Sequence, residues 1–215
     1  MSFFFSFTLY FNPKDMKWLQ LFPLAGLLAF IILLTWRILL LKKRGISPVS
    51  SPKKPGIKKI LLYILFLLIF LSWLFELTRP FFSPSFSIFC KELITPFTNS
   101  LLLQILGMLF ILGAVITLYL TLIHFKSSLR FGLDKSKLGT LITTGIFSIS
   151  RNPFFLSILL YFSGVALIIP NGFFIAFAII AIISIHLFIL KEEKFMSEHY
   201  GENYQKYKQK VRRYL

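Results

Sequence analysis

The sequence predicts an all-α integral membrane protein: five transmembrane helices, the last two forming a C-terminal helical hairpin, then an amphipathic cytoplasmic tail helix. Three observations predict it. The 215-residue chain is 56% hydrophobic and only 15% charged, and its mean hydropathy of +0.77 is too high for a soluble domain of this size. Its 27 Phe exceed what one small globule can hide, because a small domain has little interior for its surface. The apolar residues also fall into runs of about the 20 residues needed to cross a bilayer. Five such runs leave no room for a complete soluble catalytic domain, so any chemistry must sit in or against the bundle. A single cysteine, Cys90, excludes a disulfide scaffold. The hydrophobicity excludes intrinsic disorder.

The elements follow in order. Met1 to Pro13 is aromatic, lacks a basic start and does not read as a signal peptide; its Phe and Tyr suit the headgroup level. Span one starts at Trp18 and ends near Leu41. Lys42 to Lys59 is a loop, marked by Gly45, Pro48, Pro52, Pro55 and Gly56. Span two covers about Ile60 to Thr78. Pro80, Pro84 and Pro96 then break an outer loop lying partly in the interface. Span three covers about Ser100 to Phe125, and a loop follows to Arg151. The apolar run from Pro153 to Leu190 is too long for one crossing, and Pro170-Asn171-Gly172 divides it into a hairpin of spans four and five. Lys191 to Leu215 is a polar tail.

Charge sets the orientation. Loop 42–59 has seven Lys or Arg, loop 126–151 five and tail 191–215 seven, whereas the other side has only Lys14, Lys17, Arg79 and Lys91. Nineteen against four predicts an N-terminus outside and a C-terminus in the cytoplasm, in a bacterial inner membrane. The same distribution accounts for the net charge of +16 without nucleic acid, since no separate basic domain exists to hold a duplex.

Polar groups within spans are the first candidates for chemistry. Glu76 lies near the outer end of span two, where its carboxylate can snorkel to the interface. His186 lies inside span five, where a histidine commonly hydrogen-bonds between helices. His124 falls at the inner interface. Three histidines and one cysteine without ligand spacing predict no metal site. The richest region is the last 80 residues. Leu141-Ile142-Thr143-Thr144-Gly145-Ile146-Phe147 leads to Arg151-Asn152-Pro153-Phe154-Phe155, with Pro153 suited to start a helix. Lys191-Glu192-Glu193 closes span five. Arg151 can be an inner-face anchor and the two acids a solvated helix end. Yet adjacent acids at a helix C-terminus oppose its dipole, which points to a partner, and Arg151 is the nearest candidate. Beyond them, Tyr200, Tyr204, Tyr207, Val211 and Leu215 recur at helical spacing among Lys and Arg. Such a helix can lie on the inner leaflet or pack under the bundle. Gly201 interrupts it where the chain could change direction.

The pattern Leu141…Gly145-x-Phe147…Arg151-Asn152-Pro153-x-Phe155, a helical hairpin, then Glu192-Glu193-x-x-Met196-x-x-x-Tyr200-Gly201-x-x-Tyr204-x-x-Tyr207-x-x-x-Val211-x-Arg213 resembles the integral-membrane methyltransferases. These include isoprenylcysteine carboxyl methyltransferase and the phospholipid N-methyltransferases. The resemblance covers about residues 130–215 and divides the chain into an N-terminal part, 1–98, and a methyltransferase-like membrane region, 99–215. It implies S-adenosylmethionine held at the cytoplasmic face by Leu141, Ile142, Phe147, Asn152, Pro153, Phe155 and Glu192, with Arg151 and Glu193 in catalytic roles. It also implies a lipid or lipidated acceptor arriving from the bilayer. The chain departs from the family in having Asn152 for a usual His, Phe147 and Phe155 for frequent Tyr, and Ser157 for a frequent Gly. Methyl transfer from a sulfonium needs orientation in a dry site. A carboxylate acceptor needs no base, whereas an ammonium must first lose a proton. Glu192 suits the ribose or the positive end of the cofactor; Glu193 suits Arg151 or an amine acceptor. The tail from about Tyr200 to Leu215 is expected to fold back over this site. Two other classes fit the same pattern: a non-enzymatic accessory protein or sensor, and an NADPH-dependent reductase of the sterol-reductase type.

Overall fold

The structure, a computed structural model, describes residues 13–45, 56–82, 86–125 and 141–215. The aromatic N-terminal segment, the Pro-rich part of the first basic loop and residues 126–140 of the second lie outside them.

The described residues form six α-helices: α1 (Pro13–Lys43), α2 (Ile57–Phe82), α3 (Lys91–Ile94), α4 (Leu101–His124), α5 (Pro153–Ile168) and α6 (Gly172–Lys210). A 3-10 turn, Gly145–Ser148, precedes α5. Four helices, α1, α2, α4 and α6, are long and apolar enough to cross a membrane. The molecule is an integral membrane protein by that measure. The fifth apolar run is shorter: α5 has 16 residues, about 24 Å of helix against a hydrocarbon core of about 30 Å. Its limits are local. Pro153 sits in its first turn, and the Asn171 side chain accepts from the Phe174 backbone N–H to start α6 immediately afterwards.

Three boundaries differ from expectation. α2 runs through Pro80 to Phe82, because a proline in the final turn removes only one of the helix's backbone bonds. The loop between α2 and α4, expected to be irregular, contains the short helix α3. Most consequentially, α6 does not stop at Leu190. It continues to Lys210, bent at Gly201 (φ 52°, ψ −126°), and Val211 onward is extended. The acidic pair therefore lies within a helix and not at its C-terminus.

α4 and α5 form the tightest helix pair, and glycine explains it. A Cβ on Gly107 would fall 2.6 Å from the Gly164 carbonyl oxygen, and one on Gly164 would fall 2.7 Å from the Gly107 carbonyl. The two backbones touch, as small residues permit in membranes. Gly107→Ala is expected to cost about 1–3 kcal/mol, the usual penalty of overpacking, measurable as a lowered thermal midpoint in detergent. Trp73 of α2 is buried against Tyr161 and Phe162 of α5 and Phe174 and Phe177 of α6. The Tyr161 hydroxyl donates to the Pro23 carbonyl at 2.9 Å, tying α5 to α1. Glu76 does not snorkel: it is buried, accepting from Arg79 at 2.8 Å and Ser87 at 2.7 Å. These partners fasten the C-terminal end of α2 to the following loop.

Candidate functional site

The region of interest is the end of the bundle where α4 finishes, α5 begins and α6 leaves its apolar stretch at Leu190. Gly145 opens the approach with φ 65°, a conformation suited to glycine, and a Cβ there would collide with the His124 ring. The turn that follows buries Phe147 against Phe125. Ser150, Arg151 and Asn152 then run into Pro153.

This segment is met by the C-terminus. The Arg151 backbone N–H donates to the Arg212 carbonyl at 3.0 Å, part of a bridge pairing Ser150 with Arg212. Ser150 Oγ and Asn152 Nδ2 each donate to the Arg213 carbonyl at 3.3 Å. Arg151 Nη1 donates to the carbonyls of Lys208 at 2.9 Å and Val211 at 3.1 Å. The Tyr207 hydroxyl donates to the Phe147 carbonyl at 2.6 Å. Tyr204, Tyr207 and Val211 are buried, with Leu141, Met196 and Tyr200 packed against them. Gly201 makes this possible, since its positive φ turns the last helical segment back towards residues 141–152.

Glu193 is the hub. Its Oε1 accepts from Arg151 Nη2 at 2.9 Å, Arg213 Nε at 3.2 Å and Asn152 Nδ2 at 3.3 Å, and its Oε2 accepts from Arg213 Nη2 at 3.0 Å. The Arg151 and Glu193 side chains are 6% and 5% exposed, respectively. Arg151 Nε is buried without a partner among the described residues. The pairing of Arg151 with a glutamate thus exists for a reason other than the helix dipole, because α6 runs on past it. It compensates a buried carboxylate within a helix that has bent around to enclose it.

The two glutamates diverge electrostatically. Burial acts to raise the Glu193 carboxyl, but the hydrogen bonds and charges of Arg213 and Arg151 outweigh it and hold the group below the ordinary value. Glu192 is half-buried, and burial, aided by the charge of Glu193, pushes its carboxyl above the ordinary value. Burial raises the Tyr204 hydroxyl to about 12 and raises Tyr207 as well. Both phenols stay neutral donors at physiological pH.

Among the residues singled out in the sequence, Leu141, Phe147, Arg151, Asn152 and Glu193 are brought together beneath the tail. Pro153 is buried at the start of α5. Ile142 is half-buried. Phe155 turns to α6, its ring 5.4 Å from that of Phe188. Two partners carry more of the site than their place in the sequence pattern suggested. Arg213 supplies the second guanidinium on Glu193. Tyr214 reaches His186, with 2.9 Å between its hydroxyl and Nδ1.

The matching stretch is 105 of 215 residues and contains α4, the 3-10 turn, α5 and most of α6. Residues 99–203 match the phospholipid methyltransferase family. No curated protein and no solved structure matches the chain. The matched region includes every residue from Leu141 to Glu193 named above. It ends at Asn203, so Tyr204, Tyr207 and Arg213, which close the cluster, belong to the sequence that follows it.

Proposed function

We propose that the protein transfers a methyl group from S-adenosylmethionine to an amine headgroup of a membrane phospholipid at the cytoplasmic face. The observation that carries this reading is the phospholipid methyltransferase match over 99–203, within which Arg151, Asn152 and Glu193 converge. The chain at this end offers groups suited to such a cofactor. Arg151 has a buried Nε with no partner among the described residues, fit for a carboxylate. Glu192 suits ribose hydroxyls or a cationic end. Leu141, Ile142, Phe147, Asn152, Pro153 and Phe155 complete the proposed binding set. The cofactor supplies an electrophilic methyl on sulfur, whose departure as a thioether needs no proton. What the protein contributes is orientation and exclusion of water. Arg151 and Glu193 hold the 150–152 segment against the C-terminus, fixing Asn152. In this reading 99–215 is the functional unit and 1–98 supplies the flanking spans.

The proposed reading takes five crossings, with α5 as the fourth, an external N-terminus and a cytoplasmic C-terminus, supported by the nineteen-to-four split of basic residues. A cytoplasmic reporter fused after Leu215 is expected to be active and a periplasmic one silent; the opposite result overturns this topology. The activity is tested with full-length protein in detergent. It should bind labelled S-adenosylmethionine and not NADPH, and move label into vesicles containing an amine-headgroup phospholipid. Binding of NADPH alone, or of neither compound, refutes the methyltransferase reading.

A further inference from the structure

An ammonium headgroup cannot attack a methyl group until it loses a proton, so the reaction proposed above needs a proton acceptor. The geometry points to His124 as that acceptor, a role that rests on the amine-headgroup reading. His124 ends α4 at the same end of the bundle as the Arg151–Glu193 cluster. Its Nδ1 lies 2.7 Å from the Leu120 carbonyl. A carbonyl only accepts, so Nδ1 carries the hydrogen, and Nε2 of the neutral ring keeps its lone pair. The Cδ2–Nε2 edge lies against Gly145, where any side chain would collide with it. Two residues later Phe147 packs on Phe125, the neighbour of His124. His124 is only half-buried, and it ends an apolar helix of membrane length, the end of such a helix being the level at which headgroups lie.

Of the other candidates, Glu192 is half-buried and is assigned to the cofactor in the reading above, and the rest are engaged. Glu193 is bound by two arginines and Asn152 and holds its carboxyl low. Nδ1 of His186 meets Tyr214. His199 is on the exposed side of the tail, against Phe195 and Tyr200. Among the described residues, the titratable and charged groups on elements around His124 are few. α4 itself brings Tyr119, α1 brings Arg37, Lys42 and Lys43 to the same end, and the start of α5 is preceded by Arg151. The tail brings Tyr207, bound to the Phe147 carbonyl. None of these is a carboxylate that would compete for the amine proton.

In the step, the ammonium gives one proton to Nε2. The freed nitrogen lone pair forms the new N–C bond as the S–C bond breaks, leaving that electron pair on sulfur. The imidazolium then releases its proton to water. His124→Gln retains a polar side chain but cannot take a proton. It is expected to bind S-adenosylmethionine as the parent protein does, and to methylate amine-headgroup vesicles at least about 100-fold more slowly at neutral pH. The deficit should shrink as pH rises towards the amine's own value, where the substrate needs no proton acceptor. A second measurement needs no turnover. Nitrogen NMR of the full chain labelled at histidine should show His124 protonated at Nδ1, with Nε2 perturbed by amine-headgroup vesicles and not by choline-headgroup ones. A fully active His124→Gln protein with an unchanged pH profile, or an Nε2 indifferent to the amine lipid, overturns the assignment. Failure of the parent protein to methylate any amine lipid would instead count against the proposed function itself.

Discussion

Glu193→Gln is expected to be among the most damaging single substitutions in the protein. The native carboxylate neutralises Arg151 and Arg213 in a site where the Arg151 side chain is 6% exposed. Removing one member of a buried ion pair leaves the other charge uncompensated and costs about 3–5 kcal/mol. The consequence should be local before it is global, because the charge network ties residues 150–152 and 211–213 to Glu193 beyond the apolar stretch of α6 and reaches none of the other helices. Limited proteolysis is expected to cut the variant within the last 12 residues at least about 100-fold faster than the parent protein, with the membrane helices still protected. The pH dependence of the parent has a defined sign. The folded-state carboxyl lies below its ordinary value because the two arginines outweigh burial. Its contribution is therefore complete at neutral pH and is lost as pH falls through the depressed native value. Acid should release the tail of the parent protein, and the tail of the Gln variant should be released already at pH 7. A variant tail as protected as the parent's would show that the ion pairs do not hold it.

Much of this architecture is legible in the residues. Apolar runs of membrane length, ended by Lys, Arg, Pro and Gly, place the helices, because a backbone in hydrocarbon has few alternatives to helix. The Pro170-Asn171-Gly172 hairpin and the helix start at Pro153 follow from side-chain chemistry at single positions. Other features depend on contacts between distant residues, which a linear pattern does not encode. The extension of α6 beyond Leu190 was obscured by the change to polar sequence, although a helix leaving the membrane should become polar. Arg37 is buried within a run that otherwise reads as an uncharged span. Arg213 is one of seven basic residues in the tail; the family pattern includes it and not Arg212, which is exposed, but assigns it no partner. Its importance comes from Gly201, which turns the chain so that residue 213 meets residue 193. The position of that glycine was visible; the partner it delivers was not.

Deleting everything after Ser197 separates a cover from a membrane anchor. The truncated chain loses Tyr204, Tyr207 and Val211, the buried residues packed with Leu141, and Arg213, the second cation on Glu193. It keeps α1, α2, α4, α5 and the apolar part of α6, and the tight contact of Gly107 with Gly164 lies far from the cut in sequence. Insertion and helix content in detergent are therefore expected to be close to those of the full chain. Affinity for S-adenosylmethionine is expected to fall at least about 100-fold, close to 3 kcal/mol. Leu141, Phe147 and Asn152 would then face water, and polar contacts made there would compete with solvent. Tyr207→Phe gives the graded version. It removes only the hydroxyl that donates to the Phe147 carbonyl at 2.6 Å, a loss of about 0.5–1.5 kcal/mol for a neutral hydrogen bond, and should weaken binding about 2- to 10-fold. An anchor lying on lipid headgroups would behave otherwise, because detergent micelles contain no anionic leaflet for its lysines to meet. Equal cofactor affinity for the truncated and full chains in detergent would exclude the cover. A graded loss from parent through Tyr207→Phe to the truncated chain would identify the packing of the tail on residues 141–152 as what closes the site.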